Sequence, residues 1–219
     1  MANKVVGISS GRSEKVSEQV VRTILTATEL EYDFYSLAEF EVLTCDVCNG
    51  CLETHKCIKD DKLEEIKSAV LEADGLVFGG PEYWDGLHAK GRAFWERFCF
   101  SLRHNDNFPL KGKPGVAVGV SGDGDASGVL TDINDFFADL RLKLIEEIEV
   151  QGEYACFNCG YGADCKTGGI AEIYDLPIEL TRDKEPTLSC QHPEKEATYN
   201  IIEDLKQAGN KLAAEVEAG

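Results

Sequence analysis

The run Gly75-Leu76-Val77-Phe78-Gly79 is apolar throughout and bounded by glycine, and it constrains the fold more than any other stretch. A strand with one wet face alternates polar and apolar residues. A run without polar positions belongs instead to a strand covered on both faces, the condition of a parallel sheet between two helical layers. Pro114 to Val120 has the same character, and Lys4-Val5-Val6-Gly7-Ile8 is a shorter β-branched version. Glu31 to Leu37, with Tyr32, Phe34 and Leu37, supplies a further strand, and Leu142, Leu144, Ile148 and Val150 a last one.

Helical spacing fills the gaps between these runs. Val16, Val20, Val21, Ile24 and Leu25 follow the first, and Leu63, Ile66 and Val70 follow Asp61, which with Glu64 three residues on forms a helix-start pair. Phe94, Phe98 and Leu102 mark a third helix, and Val129, Ile133, Phe136, Phe137 and Leu140 a fourth. Ile201, Leu205, Ala208, Leu212 and Val216 line a closing one. The alternation implies an α/β fold, a five-stranded parallel sheet with right-handed crossovers and helices on both faces. The expected organisation is a core over 1–150 with an inserted cysteine motif at 45–57, a cysteine-rich segment over 151–193, and a closing helix over 194–219 packed on the core.

Charge narrows the partners. Lys and Arg number 22 against 40 Asp and Glu, a net charge of −18, with no block of basic residues to collect phosphates along a nucleic acid or an anionic membrane. The acidity reads as a solvated face or adaptation to saline surroundings. No apolar run approaches the ~20 residues of a membrane span, and the N-terminus leads straight into a strand, so the expected location is the cytoplasm. In that reducing compartment the nine cysteines belong to metal or redox chemistry rather than to structural disulfides.

Parallel sheets bind ligands at the carboxyl ends of their strands, where three loops fall. Ser10, Gly11 and Arg12 open the first helix with Ser17 one turn on, a seat for one terminal phosphate at a helix N-terminus. The loop lacks the Gly-Lys-Ser/Thr ending of an ATP site and the three-glycine dinucleotide fingerprint. Pro81, Glu82, Tyr83, Trp84, Asp85 and Gly86 offer aromatic edges and main-chain amides to a flat conjugated ring. Ser121, Gly122, Asp123 and Gly124 can meet ring carbonyls, N–H groups or a polyol. Phosphate seat and ring loops together describe a flavin mononucleotide (FMN) site.

On these residues the chain resembles the NADPH-dependent FMN reductase-like branch of the flavodoxin-like superfamily, and within it the iron–sulfur flavoproteins of anaerobes, over nearly its whole length. The family's Gly-Ser-x-Arg, followed by Asn-Thr or Asn-Ser, falls on Ser9-Ser10-Gly11-Arg12 and Val16-Ser17. Its Pro-x-Tyr, Gly-Gly and later Arg fall on Pro81, Tyr83, Asp85-Gly86 and Arg97. Ser9 departs from the usual Gly, and His88 stands where the family often has Ser. The resemblance implies a flavodoxin-like fold, bound FMN, oxidoreductase activity and a homo-oligomer, dimer or tetramer, in which a neighbouring subunit completes the flavin site.

Cys45, Cys48, Cys51 and Cys57 form C-x2-C-x2-C-x5-C. Four soft ligands this close suit a [4Fe–4S] cluster better than zinc, whose sites usually come as two separated pairs. The resemblance implies the same, because a motif of this spacing carries the cluster in iron–sulfur flavoproteins. Cys156, Cys159 and Cys165, with Cys190 or His192 beyond, leave open a second iron–sulfur cluster, a zinc site or plain thiols. Cys99 reads as a small buried apolar side chain and His55 as a solvent-facing loop residue.

The expected function is electron transfer between a one-electron carrier such as ferredoxin and a two-electron acceptor, through FMN and the cluster, with no catalytic side chain. One alternative is an NAD(P)H-dependent FMN or quinone reductase whose cysteines bind zinc or stay free. Another is a flavin-free binding module stapled by metal.

Overall fold

The computed structural model describes residues 3–103, 105–122, 124–152 and 201–219. Strands β1 (Lys4–Ser9), β2 (Glu31–Ser36), β3 (Gly75–Pro81), β4 (Pro114–Ser121) and β5 (Lys143–Gln151) form one parallel sheet in the order β2-β1-β3-β4-β5. The chain steps one way from β1 to β2 and the other way from β1 to β3. That reversal opens a crevice at the carboxyl ends of β1 and β3.

Five described α-helices cover the sheet. Helices α1 (Val16–Ala27) and α5 (Ile201–Ala218) bury their apolar stripes against one face; α2 (Leu63–Glu72), α3 (Ala89–Leu102) and α4 (Ser127–Asp139) cover the other. The strands obey period two. Val6, Ile8, Leu76, Phe78 and Ala117 point to the α2–α4 layer, while Val5, Val77, Val116 and Val118 point to α1 and α5. An aromatic nucleus of Phe78, Phe94, Trp95, Phe98 and Phe137 fixes α3 on the sheet, and each fully buried side chain of this size contributes about 1.5–3 kcal/mol.

The last strand departs from simple alternation. Gly115 pairs with Leu144 but Val116 with Glu146, so Ile145 is an extra residue in the ladder. A bulge swaps which residues face inward. Leu144, expected inside, is 38% exposed, and Ile145 packs against the core cluster that contains Ile148 and Val150.

The start of α2 also differs from expectation. Asp61 and Glu64 do not form a reciprocal cap: Asp61 Oδ1 accepts from Leu63 N at 3.1 Å and its Oδ2 from Leu43 N at 3.2 Å, while Glu64 Oε1 accepts from Cys57 N at 2.7 Å and Lys67 Nζ at 2.8 Å. Both carboxylates hold the cysteine coil, a demand the local pattern does not announce. Among the described residues no helix is long and apolar enough to cross a membrane.

Candidate functional site

A cleft of about 770 Å³ opens at the crevice between β1 and β3. Ser10, Gly11, Arg12 and Ser17 line it from the first loop, Pro81, Glu82, Tyr83 and Trp84 from the second, and Ser121 and Gly122 from the third. Asp85, Gly86 and Gly124 do not line it, and Asp123 lies outside the described residues. Lys15, His88 and Lys90, which the sequence motifs did not single out as site residues, join the wall. Arg12 and Lys15 in the lining favour an anion in an otherwise acidic chain, whereas the Lys90 ammonium donates to Leu37 O at 3.0 Å and Phe40 O at 3.2 Å.

The first loop is folded tightly onto α1. A Cβ on Gly11 would lie 2.6 Å from Ser17 Cβ, so only glycine lets this turn close over the first turn of the helix. Ser10 is buried, and its hydroxyl donates to Gly79 O at 3.4 Å. Glu18 Oε2 accepts from Glu14 N at 3.0 Å and secures the chain's entry into α1.

The second loop is a tight hairpin. Tyr83 N donates to Gly86 O at 2.9 Å, Glu82 bridges to Leu87, and both central residues have positive φ, +57° at Trp84 and +58° at Asp85. Left-handed backbone at a bulky residue is uncommon and strained. The turn presents the Trp84 indole almost wholly to solvent, 97% exposed, at the edge of the cleft it lines. Glu82 Oε1 fixes the turn by accepting from Asp85 N at 2.6 Å. Behind it, Asp132 Oδ2 accepts from Leu87 N at 2.8 Å and Asp132 Oδ1 from Arg92 Nη2 at 2.8 Å.

His88 stands at the start of α3 beneath Tyr83, ring centroids 5.7 Å apart. Burial lowers its pKa, outweighing a hydrogen bond with the Ser10 main chain that raises it, and Lys90 adds to the lowering. A neutral imidazole results, and its Nε2 is buried without a hydrogen-bond partner.

The four cysteines of the first motif surround a separate hollow of about 20 Å³, together with Arg97, Phe100 and Arg103 of α3 and its end. All four thiols are free; Cys48 is exposed and the others half-buried. The coil that carries them takes left-handed backbone at Val47, Asn49 and His55. Among the described residues no three Cys, His, Asp or Glu side chains converge on a single ion. His55 is half-buried rather than solvent-facing: its Nδ1 is buried without a hydrogen-bond partner and its carbonyl accepts from Lys67 Nζ at 2.5 Å. Cys156, Cys159, Cys165 and Cys190 lie outside the described residues.

Arg97 belongs to this second site and not to the ring loop. Its Nη2 donates to Cys57 Sγ at 3.1 Å and to Asp61 Oδ1 at 3.0 Å, and its Nη1 to Leu43 O at 3.2 Å and to Asp61 Oδ2. Burial alone would raise the Asp61 pKa, but the bond from Arg97, with those from Leu43 and Leu63, carries it below the usual carboxylate range.

A model of the NADPH-dependent FMN reductase family matches residues 3–155. The chain belongs to that family. An iron–sulfur flavoprotein of Methanocaldococcus jannaschii is 33% identical over 187 residues, 82% of this chain and 92% of the relative. A solved flavone reductase superposes with a TM-score of 0.62 at 15% identity, over 98% of this chain and 63% of its own. A flavodoxin from the Archaea superposes with 0.52 at 13% identity, over 98% and 99%. These last two describe the fold, which is flavodoxin-like.

As a member of the FMN reductase family the chain is a flavin-dependent oxidoreductase, and a flavin-free binding module is set aside. The cleft suits FMN on its own chemistry: Arg12 and Lys15 beside a helix N-terminus, a turn that only glycine closes, and an orphaned His88 Nε2 in the wall. The cysteine hollow suits an iron–sulfur group by its donor set, four thiols with a guanidinium against one of them. Sequence motifs missed Asp132, Glu64 and the true place of Arg97, because each acts through a partner 7 to 45 positions away.

Proposed function

We propose that this oxidoreductase couples a one-electron carrier such as ferredoxin to a two-electron acceptor, using FMN in the cleft and a [4Fe–4S] cluster on Cys45, Cys48, Cys51 and Cys57. One observation carries the reading: the two sites share α3. The cleft touches its beginning at His88, Ala89 and Lys90, and the cysteine hollow touches Arg97, Phe100 and Arg103 further along. His88 and Arg97 are separated by roughly 14 Å of helix axis at ~1.5 Å per residue. A group bound at each end of one rigid element has a fixed separation from the other.

The cofactors would supply single-electron steps at the cluster and paired delivery at the flavin. Two carrier molecules lose one electron each, and the acceptor gains both with two protons from solvent. The protein's own residues bind and orient. The α1 N-terminus, Gly11, Arg12 and Ser17 would hold the phosphate, and Tyr83, Trp84, Ser121 and Gly122 would hold the ring. No side chain acts as acid or base.

A direct NAD(P)H-dependent reductase is the second reading, favoured by the family's description and by Arg12 and Lys15, which could accept a second anionic ligand. Both are tested by flavin, iron and sulfide stoichiometry on oxygen-free protein, followed by reduction with ferredoxin or with NADPH. Bound FMN with about four irons that Cys48→Ser removes, and flavin bleaching by reduced ferredoxin, supports the first. FMN without iron or sulfide, bleached only by NADPH, rejects it in favour of the second.

A further inference from the structure

Arg97 is the largest buried cation among the described residues, its side chain 1% exposed, and its counter-ion Asp61 is 5% exposed. Such a pair is costly to desolvate and contributes little net stability compared with an apolar replacement. Its Nε is buried without a hydrogen-bond partner, but both terminal nitrogens are engaged. Asp61 receives both guanidinium nitrogens and the N–H groups of Leu43 and Leu63, and Leu43 O receives Nη1. The remaining contact is Nη2 to Cys57 Sγ at 3.1 Å. An all-structural ion pair has no need of a thiol partner. Here one nitrogen of the fork is shared between the carboxylate and the sulfur.

We propose that the Arg97–Asp61 pair sets the reduction potential of the iron–sulfur group held by the cysteine coil, Arg97 raising it through its hydrogen bond to Cys57 and Asp61 limiting the rise. The inference rests on the reading that these cysteines carry such a group. Its physical basis is general. A cluster gains a negative charge on reduction, and a cation bonded to a ligand sulfur stabilises that added charge more than the oxidised form. In a buried site the effect is poorly screened by water. The carboxylate on the far side of the guanidinium opposes the gain, so the two residues act with opposite sign.

That opposition supplies the test. The full chain, loaded with iron and sulfide under anaerobic conditions, is titrated against redox mediators and the cluster followed by electron paramagnetic resonance, for wild type, Arg97→Lys, Arg97→Met and Asp61→Asn. The midpoint is expected to fall from wild type to Arg97→Lys, fall further in Arg97→Met, and rise above wild type in Asp61→Asn, with the FMN midpoint unmoved. A merely structural pair cannot shift the potential in both directions. Iron-loaded variants that titrate with the wild-type midpoint overturn the proposal. Arg97→Lys keeps a charge opposite Asp61 and decides the matter where Arg97→Met or Asp61→Asn does not fold. Wild-type protein without iron and sulfide would instead reject the cluster itself, an outcome read from the metal analysis before any titration.

Discussion

The carbonyl oxygen of Asp85 lies 1.9 Å from where a Cβ on Gly128 would stand, so the hairpin above the cleft rests directly on the first turn of α4. Replacing Gly128 by alanine improves helix propensity by ~1 kcal/mol, but the clash is with backbone and cannot be relieved by a rotamer change. We expect Gly128→Ala to cost about 1–3 kcal/mol and to push the Tyr83–Gly86 turn off α4. Thermal unfolding of the apo-protein and FMN titration by fluorescence quenching would show both losses; unchanged values would show that the turn is free to move.

Trp84 invites the opposite experiment. Its left-handed backbone costs of order 1–3 kcal/mol, while an indole 97% exposed regains little of that by burial. Trp84→Gly should therefore stabilise the apo-protein, by about 1 kcal/mol, and weaken FMN binding if the indole covers the ring. A calorimetric scan with and without FMN separates the two effects. Loss of stability in the apo-protein would mean that the indole already has a packing role.

Much of this architecture is legible in local pattern, and the failures share one cause. Uninterrupted apolar runs such as Leu76-Val77-Phe78 announce strands with two covered faces, and the heptad-like spacing of Val20, Val21 and Ile24 announces the helix between them. The Ile145 bulge does not show, because it depends on register with Gly115 and Val116. Asp61 and Glu64 match a helix cap within a four-residue window, yet besides the local Leu63 and Lys67 they bind Arg97, Leu43 and Cys57. Trp84 and Asp85 take a turn for which glycine would be the usual choice, held there by Glu82 and by the surface of α4. Periodicity encodes elements; bonds that cross between elements place the site.

Cys99, read from the sequence as buried, is half-buried in the structure, packed against the core beside α3's aromatic residues. Desolvation, helped by Asp139, pushes the Cys99 thiol far above its ordinary pKa, whereas Cys48 is exposed. Only the thiolate is nucleophilic, so in the reduced, metal-free protein at pH 8 Cys48 should react with iodoacetamide at least ~100-fold faster than Cys99. Peptide mapping by mass spectrometry after a short pulse would report both rates. Comparable labelling would mean that α3 opens on the timescale of the reaction.

Acid should expose the Asp61–Arg97 pair. Because the folded-state pKa of Asp61 is lowered, its contribution is present above the ordinary carboxylate value of ~3.9 and is lost as pH falls through the lower, folded value. Asp61→Asn removes that titration and leaves a buried guanidinium without its counter-ion, at a cost of about 3–5 kcal/mol near neutrality. Denaturant unfolding of the metal-free protein across pH 7 to pH 2 should show wild type and variant far apart at pH 7 and drawing together below ~pH 4, as the wild-type carboxylate takes up its proton. Parallel curves over the whole range would mean that Asp61 keeps its ordinary pKa and that Arg97 is neutralised by another group.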